Sequence, residues 1–209
     1  MSPRSPATPR PTSLLSAQAA GFPVGGEPLA VDLADTLIAG RQPPIDLLAG
    51  KGRLAAFWAL QQSRLPPGSS APSRAATLAM RDAVRHILDA IVQDAPIDSR
   101  MIEHINAASA GAASWPRLTA SPTVLGTETR WRPQTGAALT LAAVARSLIE
   151  IVTGPGVDRL RRCANPACGM LFIAEDARRK WCTTNICGNR ARVARHYHRH
   201  RDTAEAAPD

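Results

Sequence analysis

Cys163-Ala164-Asn165-Pro166-Ala167-Cys168, then Lys180-Trp181-Cys182, then Cys187-Gly188-Asn189-Arg190 contain every cysteine of this 209-residue chain. The spacing is C-x4-C-x13-C-x4-C. Two close pairs about a dozen residues apart suit a tetrahedral four-cysteine zinc site, because each pair on a tight turn presents two thiolates from one side. Cys163, Cys168, Cys182 and Cys187 are therefore read as the ligands of one structural Zn²⁺. Two disulfides are the alternative, and they require an oxidising compartment. The first 26 residues hold no acid, and Leu14-Leu15-Ser16-Ala17-Gln18-Ala19-Ala20 ends in small residues. That apolar stretch is too short for an export signal and follows Pro3, Pro6, Pro9 and Pro11. The expectation is zinc, in a cytoplasmic protein.

Charge concentrates where the cysteines are. Residues 159–201 hold 11 Arg/Lys against 2 Asp/Glu, residues 1–158 hold 14 against 12, and residues 202–209 hold none against 3. The net +8 of the chain thus sits on the cysteine segment. A localised basic excess is the electrostatic footprint of a nucleic-acid binder. Arginine is 23 of the 25 basic residues, and Ala and Pro are abundant, a bias of GC-rich bacterial coding. The clustering of charge therefore says more than the choice of Arg over Lys. No stretch approaches the 18 apolar residues of a membrane span, so no membrane partner is expected.

The rest of the chain reads as helices. Residues 1–20 are poor in groups to bury and are expected to form a disordered tail. Pro28 suits a first helical turn, and Leu29, Leu33 and Leu37 make a stripe after it. A second helix covers Arg53–Gln62. Ser73 is placed as the N-cap of a long helix whose apolar face is Met80, Val84, Ile87, Leu88 and Ile91. Pro96 restarts a helix carrying Ile97, Met101, Ile102 and Ile105. Gly, Pro and short apolar runs over 111–135 predict a hairpin. Thr135 precedes a last helix with Leu141, Val144, Leu148 and Val152, ended by Gly154-Pro155-Gly156. His86 and His104 are isolated on helices and read as structural. No P-loop, GxGxxG, HExxH or GxSxG pattern occurs, so an enzyme is not expected.

Residues 159–201 are too few and too polar to fold without a staple, which metal binding supplies. The expected order is a knuckle at Cys163–Cys168, a strand at Leu171-Phe172-Ile173, a polar turn at Glu175-Asp176-Ala177-Arg178, a return strand at Lys180-Trp181-Cys182, and a helix from Cys187 to about Arg201. The fold class is mainly α: a helical N-terminal domain with a small β-hairpin, plus a C-terminal treble-clef-like four-cysteine zinc finger of knuckle, hairpin and helix. Arg190, Arg192, Arg195, Arg199 and Arg201 lie on the finger helix and are the candidate nucleic-acid contacts. His196, His198 and His200 alternate along it and do not converge on a metal. Arg161, Arg162, Arg178, Arg179 and Arg190 are placed to offset the −2 charge of zinc with four thiolates, a use of arginine that needs no external anion.

These residues carry a resemblance. Cys163, Cys168, Trp181-Cys182, Cys187-Gly188-Asn189-Arg190 and Ala191-Arg192 resemble the CGNR zinc finger of bacterial proteins. Ala145-Arg146-Ser147-Leu148 and Asp158-Arg159-Leu160-Arg161-Arg162-Cys163 are similar to its approach. Gly25-Gly26-Glu27-Pro28-Leu29-Ala30-Val31-Asp32-Leu33 is similar to the entry of the ABATE domain that precedes this finger. The resemblance implies a stress-linked transcription regulator whose finger binds DNA or RNA, with Gly188 and Asn189 as motif residues and Asn189 capping the helix start or the zinc turn. Ala174-Glu175-Asp176-Ala177 departs from the Arg/Ser-rich turn of the family, which argues against phosphate contact at the hairpin tip. The division expected is a tail over 1–20, an ABATE-like domain over 21–156, a finger over 157–201 and an acidic tail over 202–209. A zinc-stapled protein–protein adaptor without nucleic acid is the alternative function.

Overall fold

The structure is a computed structural model that describes residues 14–22, 26–121, 123–183 and 187–193. It is mainly α, and its longest helix lies at the centre. That helix, α4 (Arg74–Gln93), starts as the sequence predicts: Ser73 Oγ accepts the Ala76 amide at 3.2 Å. It buries Met80, Val84, Ile87 and Leu88. It ends at Asp94, whose φ of 51° places a non-glycine residue in the left-handed C-cap position. Helices α2 (Leu29–Ala34) and α6 (Ala137–Thr153) pack on α4 and on each other, and α5 (Ser99–Ala110) packs on α4 and α6. His86 is structural, since its Nε2 accepts the Asp98 amide at 3.2 Å where α5 begins. Helix α3 (Arg53–Gln61), continued by one 3-10 turn, brings in Phe57 and Trp58.

Every residue of α2 is buried. A helix enclosed on all sides cannot leave its polar groups to solvent, so Asp32 and the following Asp35 and Thr36 must find partners inside. This requirement shortens the element. The stripe Leu29, Leu33, Leu37 predicts helix through Leu37, but α2 ends at Ala34. Thr36 Oγ1 donates to Leu33 O at 2.7 Å, competing for a carbonyl of the helix. Leu37 enters β1 (Leu37–Ile38), which pairs antiparallel with β2 (Ile45–Asp46).

The predicted hairpin forms as β3 (Ser114–Ser121) and β4 (Val124–Trp131), with Ser114 opposite Trp131 and Ser121 opposite Val124. Two other expectations are corrected. Part of the expected tail folds: Leu14–Ala19 form helix α1, and Ala17 is buried against the main core. A small alanine suffices to join a core when the neighbours are large, and composition alone does not register that. The strand Leu171–Ile173 (β6) also has a different partner. It pairs with Leu160–Arg162 (β5), ahead of the first cysteine, and residues 180–182 form no strand. The hairpin therefore encloses the first cysteine pair.

Candidate metal centre and its docking onto the helical domain

The knuckle between β5 and β6 is set by local hydrogen bonds. Cys163 N donates to Met170 O at 2.8 Å, and Cys168 N to Asn165 O at 2.9 Å. Asn165 Oδ1 accepts the Ala167 amide at 3.1 Å, closing the Asn-Pro turn. Gly169 follows at φ 68°, a conformation glycine adopts without a Cβ penalty. The second cysteine pair is tied back by Ala164 N to Lys180 O at 2.9 Å. A helical stretch then runs over 187–193, with Gly188 N donating to Thr183 O at 3.0 Å.

These links bring all four sulfurs together. Cys163, Cys168, Cys182 and Cys187 are buried, and their Sγ atoms lie within 4.8 Å of one another. Cys168 Sγ and Cys182 Sγ are 3.7 Å apart. A disulfide needs a separation of about 2 Å. A tetrahedron of four sulfurs around zinc, with bonds of about 2.3 Å, has sulfur–sulfur edges of about 3.8 Å. The donor set is all soft sulfur, which suits Zn²⁺ over hard cations. Asn165 Nδ2 donates to Cys187 Sγ at 3.5 Å, a bond that favours a thiolate there. The thiols share protons unevenly. Hydrogen bonds from Cys168 and Cys182 hold Cys163 far below the ordinary thiol range, whereas bonding to Cys163 pushes Cys168 and Cys182 up. The residues fit one zinc ion, and when bound it supplies the crosslink that closes the finger.

The finger does not hang from the helical domain. Leu160 and Leu171 belong to the same core as Val31, Leu33, Val84 and Leu148, while Phe172 and Met170 pack around the cysteines. The amides of β6 that point away from β5 are taken by two carboxylates of the helical domain. Leu171 N donates to Asp35 Oδ1 at 2.9 Å, and Ile173 N to Glu27 Oε2 at 3.0 Å. Glu27 Oε1 also pairs with Arg179 at 2.8 Å. Arg85 of α4 donates to Leu37 O and to Gly169 O, and pairs with Asp89 at 3.1 Å. Arg162 reaches the same Asp89 at 2.9 Å. Gly40 lies against the knuckle, where a Cβ would collide with Pro166 O and come within 2.7 Å of Cys168 N.

The arginines therefore divide. Arg179 turns inward, with its guanidinium 4.4 Å over the Phe172 ring and bonds to the Trp181, Ile173 and Cys182 carbonyls. Arg162 is tied to the helical domain, and Arg161 bonds the Asp158 and Leu160 carbonyls. Arg178, Arg190 and Arg192 face solvent, Arg178 with 93% of its side chain exposed. Gly188 is buried and Asn189 is exposed. Arg195, Arg199 and Arg201, with His196, His198 and His200, lie outside the described residues. Glu27, Asp35, Arg85 and Asp89 are the residues that sequence reasoning did not single out. A charged residue inside an apolar helical stripe, such as Arg85 between Val84 and Ile87, is the one local signal that marks them.

Comparisons with known proteins agree with this geometry. The family model ABATE, described as "Putative stress-induced transcription regulator", matches residues 27–155. The CGNR zinc finger model matches residues 159–200. A search of curated proteins finds no match. With the first model covering more than half its length and four clustered cysteines inside the second, the chain belongs to the ABATE family and ends in a CGNR zinc finger.

Proposed function

We propose that this protein is a bacterial, cytoplasmic transcription regulator that binds DNA or RNA phosphates through the outer face of its zinc finger. The supporting observation is the division of the arginines. Arg162 and Arg179 serve the fold and Arg178 pairs with Asp176 in the turn after β6, whereas Arg190 and Arg192 project from the finger with no helical-domain partner among the described residues. Zinc and the docked strand hold the start of the finger helix in place, so its arginines are presented on a rigid base. The protein acts by binding and not by catalysis.

Phosphate contact makes affinity steeply salt-dependent. With about 4 phosphates neutralised, the log–log slope of affinity against salt is roughly −3 to −4. Gel shifts with duplex DNA, single strands and structured RNA at several salt concentrations measure it. Replacing Arg192, Arg195 and Arg199 with Ala weakens binding to all probes and flattens the slope, with zinc content unchanged. Equal binding by parent and triple variant would favour the adaptor reading. One observation supports that alternative. The β3–β4 ribbon exposes Leu118 and Leu125 by 70% and 69%, an apolar surface suited to a protein partner.

A further inference from the structure

One loop of the helical domain is clamped onto the metal knuckle. Between β1 and β2, Gly40 N donates to Cys168 O at 3.4 Å, and a Cβ at Gly40 would come within 2.7 Å of Cys168 N. Ile38, just ahead, packs against the cysteines. β1 is itself fixed, since it pairs with β2 and its Leu37 carbonyl accepts Arg85. The backbone that carries Arg41 is therefore held against the turn Cys163–Cys168, although it belongs to the other domain. A similar tie operates at the other end of that turn. There Lys180 O accepts the Ala164 amide at 2.9 Å.

Both side chains are exposed cations. Neither Arg41 nor Lys180 has an ion pair or a side-chain hydrogen bond among the described residues. Other exposed arginines of the helical domain differ: Arg74, Arg100, Arg117 and Arg130 each lie within 3.7 Å of a carboxylate oxygen. The helical-domain acids that pair with the finger are committed elsewhere, Glu27 to Arg179 and Asp89 to Arg85 and Arg162. The knuckle itself presents Ala164 and Pro166 to solvent, and its Asn165 bonds Cys187, from which the chain runs on to Arg190. Arg41 is one residue from the contact at Gly40, Lys180 two residues from Cys182, and Arg190 three from Cys187. Three exposed cations thus surround one metal centre, and like charges gathered in this way favour a polyanion.

We propose that Arg41 and Lys180 are phosphate contacts, so that the nucleic-acid strand bound by the finger helix also runs across the knuckle and onto the β1–β2 loop of the helical domain. This rests on the nucleic-acid reading above. The guanidinium of Arg41 suits bidentate contact with a phosphate, whereas Lys180 acts as a point charge. The helical domain then takes part in binding directly, through a loop that the metal knuckle holds in place.

The test titrates the full zinc-loaded chain with duplex DNA, a single strand and a structured RNA at several salt concentrations. Arg41→Ala and Lys180→Ala each flatten the log–log salt slope by about 0.9 on duplex DNA, or about 0.7 on a single strand. Each weakens binding about fivefold to tenfold at about 0.1 M salt. Arg41→Lys keeps the parent slope. Lys51→Ala, which removes an equally exposed cation from the loop before α3, leaves slope and affinity unchanged. Zinc content and thermal midpoint stay at the parent values throughout, because neither side chain holds another group in the fold. If the Arg192, Arg195 and Arg199 triple variant flattens the slope and Arg41→Ala does not, nucleic acid stays on the finger helix; this proposal then falls while the functional reading stands. If Lys51→Ala weakens binding as much as Arg41→Ala, the effect is one of net charge and the proposal falls. If the triple variant and Arg41→Ala both bind as the parent does, the functional reading itself falls.

Discussion

The carboxylate of Asp35 and the amide of Leu171 are bonded at 2.9 Å across a separation of 136 residues, joining the end of α2 to the first strand after the zinc knuckle. Glu27 repeats the arrangement two residues along, at Ile173. A strand edge that would otherwise be open is thus closed by side chains of another domain. The consequence is that a perturbation of the helical domain at these carboxylates is felt in the zinc finger.

Glu27→Ala removes the acceptor of the Ile173 amide and the partner of Arg179 together. Hydrogen bonds to charged groups contribute about 1.5–3 kcal/mol each, and an orphaned group adds a desolvation cost. The expected loss is about 2–4 kcal/mol in denaturant unfolding, with Glu27→Gln losing less. A loss below about 0.5 kcal/mol, the scale of an ordinary surface substitution, would show that Glu27 does not hold the finger.

Gly40→Ala acts on the metal centre from outside the finger. The added methyl would meet backbone atoms, Pro166 O and, at 2.7 Å, Cys168 N, which cannot swing aside as a side chain can. Overpacking of this kind costs about 1–3 kcal/mol. Competition with a zinc indicator should show weaker zinc binding for the variant, by roughly tenfold, the equivalent of about 1.4 kcal/mol, while α4 and α6 keep their hydrogen-exchange protection.

Chelation of zinc tests how far the finger is integral. The knuckle and residues 182–183 and 187–193 meet at the four clustered cysteines, whereas β5 and β6 also contribute Leu160 and Leu171 to the main core. Hydrogen exchange after chelation should therefore lose protection first around 163–169, 182–183 and 187–193. The amides of Leu171 and Ile173, held by Asp35 and Glu27, follow later. Simultaneous loss over the whole of 159–193, with the helices intact, would show an autonomous module.

Asp32 sets a pH dependence of definite sign. Burial is the largest influence on it and, despite Arg64, raises its carboxyl from 3.8 to about 6. Between these values the folded state binds the proton and the unfolded state does not. Stability from this group is full below about pH 3.8 and is lost as pH rises through about 6. The loss is about 3 kcal/mol. Asp35, also raised by burial, acts in the same direction. Comparing Asp32→Asn with the parent between about pH 4 and pH 7 isolates the effect from proton competition at the thiols: the variant's stability should decline less. An identical pH profile would show that Asp32 is not held protonated in the fold.

Local pattern in the sequence was enough for much of this protein. The spacing of four cysteines specified the metal ligands, because chelation needs only tight turns and a return of the chain. Ser73 marked a helix start, Gly154-Pro155-Gly156 a helix end, and the Gly/Pro punctuation of 111–135 a hairpin, because capping and turns are decided within a few residues. Tertiary structure decided the rest. Arg162, Arg178, Arg179 and Arg190 are one residue type in one basic segment, and only packing sends Arg162 and Arg179 inward while leaving Arg178 and Arg190 in solvent. The partner of β6, the end of α2 at Ala34 and the place of Ala17 in the core were equally unreadable. Each depends on a contact with residues distant in the chain, and such contacts impose no periodicity on the sequence. A buried carboxylate at Asp35 looks like any polar residue at a helix end until the strand that needs it is folded against it.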